Sequence, residues 1–205
     1  MRVLAALVVC ALALGVGFAV TAFPGTAGVS LAAKCGKERW KVKTLTDPAK
    51  DKVKLTAKMT TIEKLRKMKV PPGLNQNSDR FIPQETVTYQ VNALLMSVKA
   101  EADEDLHLVV ADPRVGGSMI VEFPSGNCIG TKARAQMIAA RQALKDACGE
   151  VPKKVGALWT LSGKATIAGV AFFDVIHGQG GVAQNGVELH PVIEFASTDC
   201  TVVRK

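Results

Sequence analysis

From residue 84 onward the chain reads as short runs in which apolar positions recur every second residue, broken once by a helical period. In residues 85–100 Val87, Tyr89, Val91 and Ala93 share one face, and from Leu94 the apolar set becomes Leu94, Met96 and Val98. A change of face inside one strand predicts a β-bulge, the device by which one strand serves two parts of a closed sheet. Residues 106–111 set Leu106, Leu108 and Val110 against His107 and Val109, and residues 118–123 turn Met119, Val121 and Phe123 inward. Pro124-Ser125-Gly126 then ends the strand pattern. Residues 131–147 are alanine-rich, with Met137, Ile138, Ala140 and Leu144 on one side and Gly149 as a stop, which predicts a helix. Two further strands follow. Residues 165–176 are too densely apolar for clean alternation, as in a strand buried on both faces. Residues 187–195 alternate, with Val187, Leu189, Pro191, Ile193 and Phe195 inward and Glu188, His190 and Glu194 on the opposite face.

This β-β-β-α-β-β order predicts a mainly β domain over residues 84–196, an OB-like five-stranded barrel. In that frame the acidic turn 101–105 joins strands one and two. The glycine-rich, nearly uncharged segment 177–186 joins strands four and five. Those two loops frame the ligand cleft of such barrels, so they are the expected binding edge.

The residues before the barrel change the picture in three ways. Met1-Arg2, an apolar run from Val3 to Phe23 and small residues up to Ala33 form the pattern of a secretory signal peptide, with an uncleaved membrane anchor as the alternative. Residues 34–83 read as an extension packed on the barrel, with a short strand at 40–46. A helix follows, opened by Thr60 as N-cap with Glu63 at N3 and carrying Ile62, Leu65 and Met68 on its apolar side. Residues 153–163 carry no decisive pattern, and residues 197–205 read as a tail.

The third change is charge. The chain of 205 residues carries a net +8, and the excess lies at the front: residues 34–70 hold 13 Lys/Arg against four Asp/Glu, whereas residues 71–205 are slightly acidic. Lys64, Arg66, Lys67 and Lys69 are the candidate contacts to a polyanion, either nucleic acid or an anionic surface. Trp40 is the one aromatic side chain in that basic segment, so a base-stacking platform is not indicated.

Removal of the leader takes Cys10 with it and leaves Cys35, Cys128, Cys148 and Cys200. An even set in an exported chain predicts two disulfides. The pairing Cys128–Cys148, bracketing the helix, with Cys35–Cys200 tying the ends, is preferred among three arrangements.

Candidate chemistry gathers on the strands. Asp105 and His107 share a face by two-residue spacing, as do Glu188 and His190, and Asp103 continues the first line. If both faces lie on one side of the barrel, these four residues form a set suited to a divalent metal. A structural role for the histidines, bonded to carboxylates or loop carbonyls, is the competing reading. His177, Gln179 and Asn185 belong to the glycine-rich loop and complete the candidate ligand contacts. That loop is not a phosphate-binding P-loop, because no Gly-Lys-Ser/Thr follows and a strand comes next. No Gly-x-Ser-x-Gly elbow exists for a nucleophilic serine.

Residues Asp105 to Asp112, D-x-H-L-V-V-A-D, together with G-V-A-F-F-D-V-I-H-G-Q-x-G-V-A-x-N-G-V-E-L-H-P-V, resemble a group of small exported bacterial proteins of unknown function. The resemblance spans residues 40–195 and implies export and a β-barrel core, with no catalytic residues to carry over. The expectation is an exported, non-catalytic binding module in the cell envelope or outside it. The alternative is a metal-dependent nuclease or phosphodiesterase, with Arg80, Glu85, Asp103, Asp105 and His107 as phosphate clamp, base and ligands, and a divalent metal as its cofactor.

Overall fold

A computed structural model describes residues 35–205; the signal-peptide reading of residues 1–33 lies outside the described residues. Its elements in chain order begin with α1 (Trp40–Lys43), β1 (Lys54–Met59) and α2 (Ile62–Arg66), followed by β2 (Val87–Ala100), β3 (Leu106–Ala111) and β4 (Ser118–Phe123). Then come α3 (Arg134–Cys148), β5 (Leu158–Ser162), β6 (Lys164–Phe173), β7 (Val187–Ala196) and β8 (Thr201–Arg204).

Five of the strands close on themselves in the order β2-β3-β4-β7-β6 and back to β2. All these pairings are antiparallel except β4–β7, which is parallel. The OB-like barrel and its β-β-β-α-β-β order are therefore present. Strand β2 makes closure feasible: residues 88–94 pair with β6, residues 94–100 pair with β3, and the register slips between Leu95 and Ser97. The bulge lies two residues beyond the expected place. Val91, Ala93 and Leu95 are buried on one side of it and Val98 and Ala100 on the other, while Met96 at the bulge is exposed.

The barrel is filled by alternate residues of its strands, among them Leu106, Leu108, Val110, Met119, Val121 and Phe123. Ala140 and Leu144 of α3 join this core, whereas Ile138 points to solvent. A second, smaller cluster lies elsewhere: Val170 of β6 and Ile193 of β7 meet Leu45, Val53, Ile129 and Met137. So β6 is covered on both faces, as its dense apolar sequence requires. In β7 the alternation breaks near Pro191. Val187, Leu189, Val192 and Phe195 reach the barrel core while Ile193 joins the outer cluster. The slip sits opposite Gly169, where a Cβ would stand 2.8 Å from Leu189 Cβ, so only glycine lets the two strands approach.

The extension departs most from expectation. Residues 40–43 form a helical turn, not a strand: Thr44 Oγ1 and N both donate to the Trp40 carbonyl, closing the chain on itself. The α2 N-cap is Thr61, whose Oγ1 accepts from Lys64 N; Thr60 N still donates to Gln90 O of the sheet. Strand β1 pairs in parallel with β2, and residues 201–204 of the expected tail pair with β5. Two buried ion pairs hold the extension down. Arg39 grips both carboxylate oxygens of Glu85, and Arg80 grips Asp47, with side-chain exposures of 0–4%.

Two disulfides form, but not in the preferred pairing: they are Cys35–Cys128 and Cys148–Cys200. Cys128 and Cys148 bracket α3, yet each faces a different partner. The loop before α3 packs on the extension, and the C-terminal end of α3 packs near β8. Among the described residues no helix is long and apolar enough to cross a membrane.

Candidate functional site

Residues of β3, β4 and β7 that alternate away from the barrel core carry the ionisable groups. The hairpin β3–β4 sets His107 opposite Glu122, and the parallel pairing of β4 with β7 brings Glu188 alongside Ile120. His190 follows on the same face of β7. Above them opens a cleft of about 590 Å³. Glu101, Ala102 and Asp103 of the β2–β3 loop form one wall, and His177, Gly178 and Gln179 of the β6–β7 loop form the facing one. Cys35 to Glu38 close a third side, held there by the Cys35–Cys128 bridge. The floor presents His107, Glu122, Asp174 and Glu188, with Lys43 beside Asp174 at 3.8 Å.

Glu122 is the hub. Its Oε1 lies 2.9 Å from His107 Nδ1, and its Oε2 lies 2.9 Å from His190 Nδ1. The other His107 nitrogen meets the Gly180 carbonyl at 3.2 Å, so this ring ties the floor to the glycine-rich loop. His190 is fully buried, with Nε2 3.5 Å from Asp105 Oδ2 and Nδ1 4.0 Å from Glu188 Oε2. Despite these short distances neither nitrogen of His190 is aligned for a hydrogen bond, and Glu188 Oε2 also has no partner.

The electrostatics follow from burial and from close charged neighbours. For His190 burial opposes the charged ring, but the Glu122 and Asp105 carboxylates outweigh it and push the pKa up to about 9. Burial works the same way on Glu122, yet His190, His107 and Lys43 hold it well below the usual carboxylate range. Glu188 is pushed up to about 8, by burial first and then by Glu122 and Asp174. Burial and Asp105 also raise Asp103. His107 is raised because Glu122 overcomes the cost of burial.

The structure thus brings Asp105, His107, Glu188 and His190 onto one side of the barrel. It buries Glu188 and His190, which the alternation had placed on an open face; residues 35–43 and the loops cover them. Gln179 braces its loop through Asp174 Oδ2 and the Val175 carbonyl, while the His177 side chain stays exposed. Asn185 does not face the cleft. Its Nδ2 donates to the carbonyls of Leu65 and Met68, locking the loop to the end of α2. Arg80 and Glu85 are likewise committed to the buried ion pairs of the extension. Of the four basic candidates, Lys64 and Lys69 are exposed, Lys67 pairs with Glu63, and Arg66 is half-buried against Gly117.

Glu122 was missing from the sequence-derived set. Its signal was nonetheless present, because strands 106–111 and 118–123 joined by a hairpin must place residue 107 across from residue 122.

The chain matches no protein-family model, no curated protein and no solved structure.

Proposed function

We propose that the protein is an exported, non-catalytic binding module that takes a positively charged ligand in the cleft between residues 101–105 and 177–186. The observation that carries this reading is the composition of the cleft. Glu38, Glu101, Asp103, Glu122, Asp174 and Glu188 line it against Lys37, Lys43 and Lys99. Lys43 and Lys99 are already paired, with Asp174 and Glu101. The volume suits a small ligand, and the β3–β4 face flanked by these two loops is the usual binding side of such barrels. Export is supported by the two disulfides, which persist in oxidising compartments.

The hydrolytic alternative has less behind it. Its expected phosphate clamp is committed elsewhere, because Arg80 spends its guanidinium on Asp47 and the carbonyls of Val42 and Glu85. The basic extension supplies a separate, weak and sequence-indifferent attraction for polyanions, through Lys64 and Lys69 above all.

Thermal unfolding tests the reading. Spermidine, putrescine and divalent cations should raise the melting temperature, while succinate and AMP at equal ionic strength should not. A ligand at one hundred times its Kd stabilises by about 2.7 kcal/mol, roughly 5–10 °C for a domain of this size. Stabilisation by the anions and not the cations would overturn the assignment.

A further inference from the structure

We propose that the floor of the cleft is a site for one divalent first-row metal ion, Mn²⁺ or Zn²⁺, ligated by Asp105, Glu122 and His190. One oxygen or nitrogen from each of these three buried residues lies within 4.8 Å of the others. The grouping alone would say little, but the way each carboxylate is held says more. Glu122 has Oε1 fixed by His107 and turns Oε2 inward. Asp105 has Oδ1 fixed by the backbone amide of Ser125 at 2.7 Å and turns Oδ2 inward. Each carboxylate therefore has one oxygen tied by an outer partner and one turned toward the His190 ring, Glu122 Oε2 at Nδ1 and Asp105 Oδ2 at Nε2. That is how outer groups orient metal ligands.

The second observation is independent of the grouping. Among the described residues, both nitrogens of His190 and Oε2 of Glu188 are buried and make no hydrogen bond. Buried polar atoms in folded proteins almost always have partners, because one left without a partner loses its hydration with nothing in return. An imidazolium serving only as counter-ion to Glu122 and Asp105 would turn its N–H groups onto their oxygens; here they are close but misaligned. A cation among these atoms gives one nitrogen of His190 a partner, together with the inward oxygens of Glu122 and Asp105.

The donor set selects the ion. Two carboxylates and one imidazole, with Glu188 in reserve, suit Mn²⁺ or Zn²⁺ better than Ca²⁺, which prefers oxygen alone, or Cu⁺, which prefers sulfur. Of the three ligands Glu122 lines the open cleft, and Asp105 and His190 are buried beside it. The proposal rests on the cleft reading above and names its cation.

The test uses the full mature chain, stripped with chelator and titrated with Mn²⁺. One ion should bind per chain, the bound ion should lose the aqueous electron-spin-resonance signal, and its spin-echo spectrum should show coupling to a single imidazole nitrogen. His107→Gln, which keeps the ligands but loosens Glu122, should weaken binding roughly 10–100-fold. Glu122→Gln should weaken it further, and Glu150→Gln, at an exposed carboxylate paired with Lys205, should not change it. Substoichiometric binding, no nitrogen coupling in the unmutated protein, or wild-type affinity in Glu122→Gln would overturn the site. If Mn²⁺ and Zn²⁺ fail while spermidine still stabilises the fold, the metal site falls and the cleft reading stands. If all cations fail, both fall.

Discussion

Replacing Arg39 by Met should destabilise the protein by about 3–5 kcal/mol, the cost of leaving a buried charge without its partner. The figure follows from the contacts. Arg39 donates to both oxygens of Glu85 at 2.9 and 2.7 Å, and to the carbonyls of Phe173, Ser78 and Asp79 at 2.6–2.9 Å. Both side chains are wholly buried. Glu85 also accepts from the amides of Phe81 and Phe173, so in the variant its carboxylate stays in place, desolvated and with no cation. The loss would be roughly a fifth or more of the stability of an ordinary domain. Urea unfolding followed by the fluorescence of Trp40, the next residue, and Trp159 reads it. Arg39→Met/Glu85→Met should cost less than the sum of its single changes, with a coupling of about 0.5–3 kcal/mol, because the stranded charge has gone. A cost below about 1 kcal/mol for Arg39→Met would mean that the pair behaves like an exposed one. The extension would then not be anchored as described.

Three further outcomes are expected. Changing Cys35 and Cys128 together to Ser should cost about 4–5 kcal/mol on the loop-entropy account, their separation being 93 residues; peptide mapping without reductant should find the pairs Cys35–Cys128 and Cys148–Cys200. The chelator-stripped protein should lose stability between about pH 4.5 and 9. Glu188 stays protonated in the fold up to about 8 but ionises from 4.5 in the unfolded chain, so its share is lost between those values, and the raised His190 contributes stability below its unfolded value of 6.5 that is gone above about 9. Glu188→Gln should flatten that decline in urea midpoints measured against pH, and an unchanged slope would refute the assignment. Binding of single-stranded DNA should be weak, fall steeply with salt, and drop further when Lys64, Arg66, Lys67 and Lys69 become Gln; salt-independent binding would argue against simple charge attraction.

The barrel strands were legible because each has one face in the core, and two-residue alternation records that directly. Strands 106–111 and 118–123 appear with their expected bounds. Strands β1 and β8 were not legible. Lys54–Met59 and Thr201–Arg204 lie at sheet edges with mostly exposed side chains, so burial imposes no pattern on them. The face switches were readable as events and less so as positions, since Leu94, Leu95 and Met96 are all apolar and composition cannot say which one leaves the core. In the site, Asp105, His107, Glu188 and His190 were found because their spacing is local. Glu122 required strand pairing, and the burial of Glu188 and His190 required knowing that residues 35–43 cover them. Disulfide pairing depends on the same long-range packing, which is why the helix bracketed by Cys128 and Cys148 misled.

The most direct measurement is a map of backbone amide signals as stripped protein is titrated with Mn²⁺, with diamagnetic Zn²⁺ as reference. The bound paramagnetic ion broadens the nearest amides first. The account predicts that Asp105, His107, Glu122, Glu188 and His190 fade first, followed by residues 101–104 and 177–180, with residues 64–69 unaffected. Broadening that begins at exposed acidic residues such as Asp51 and Glu150, or that spreads evenly over the surface, would contradict it.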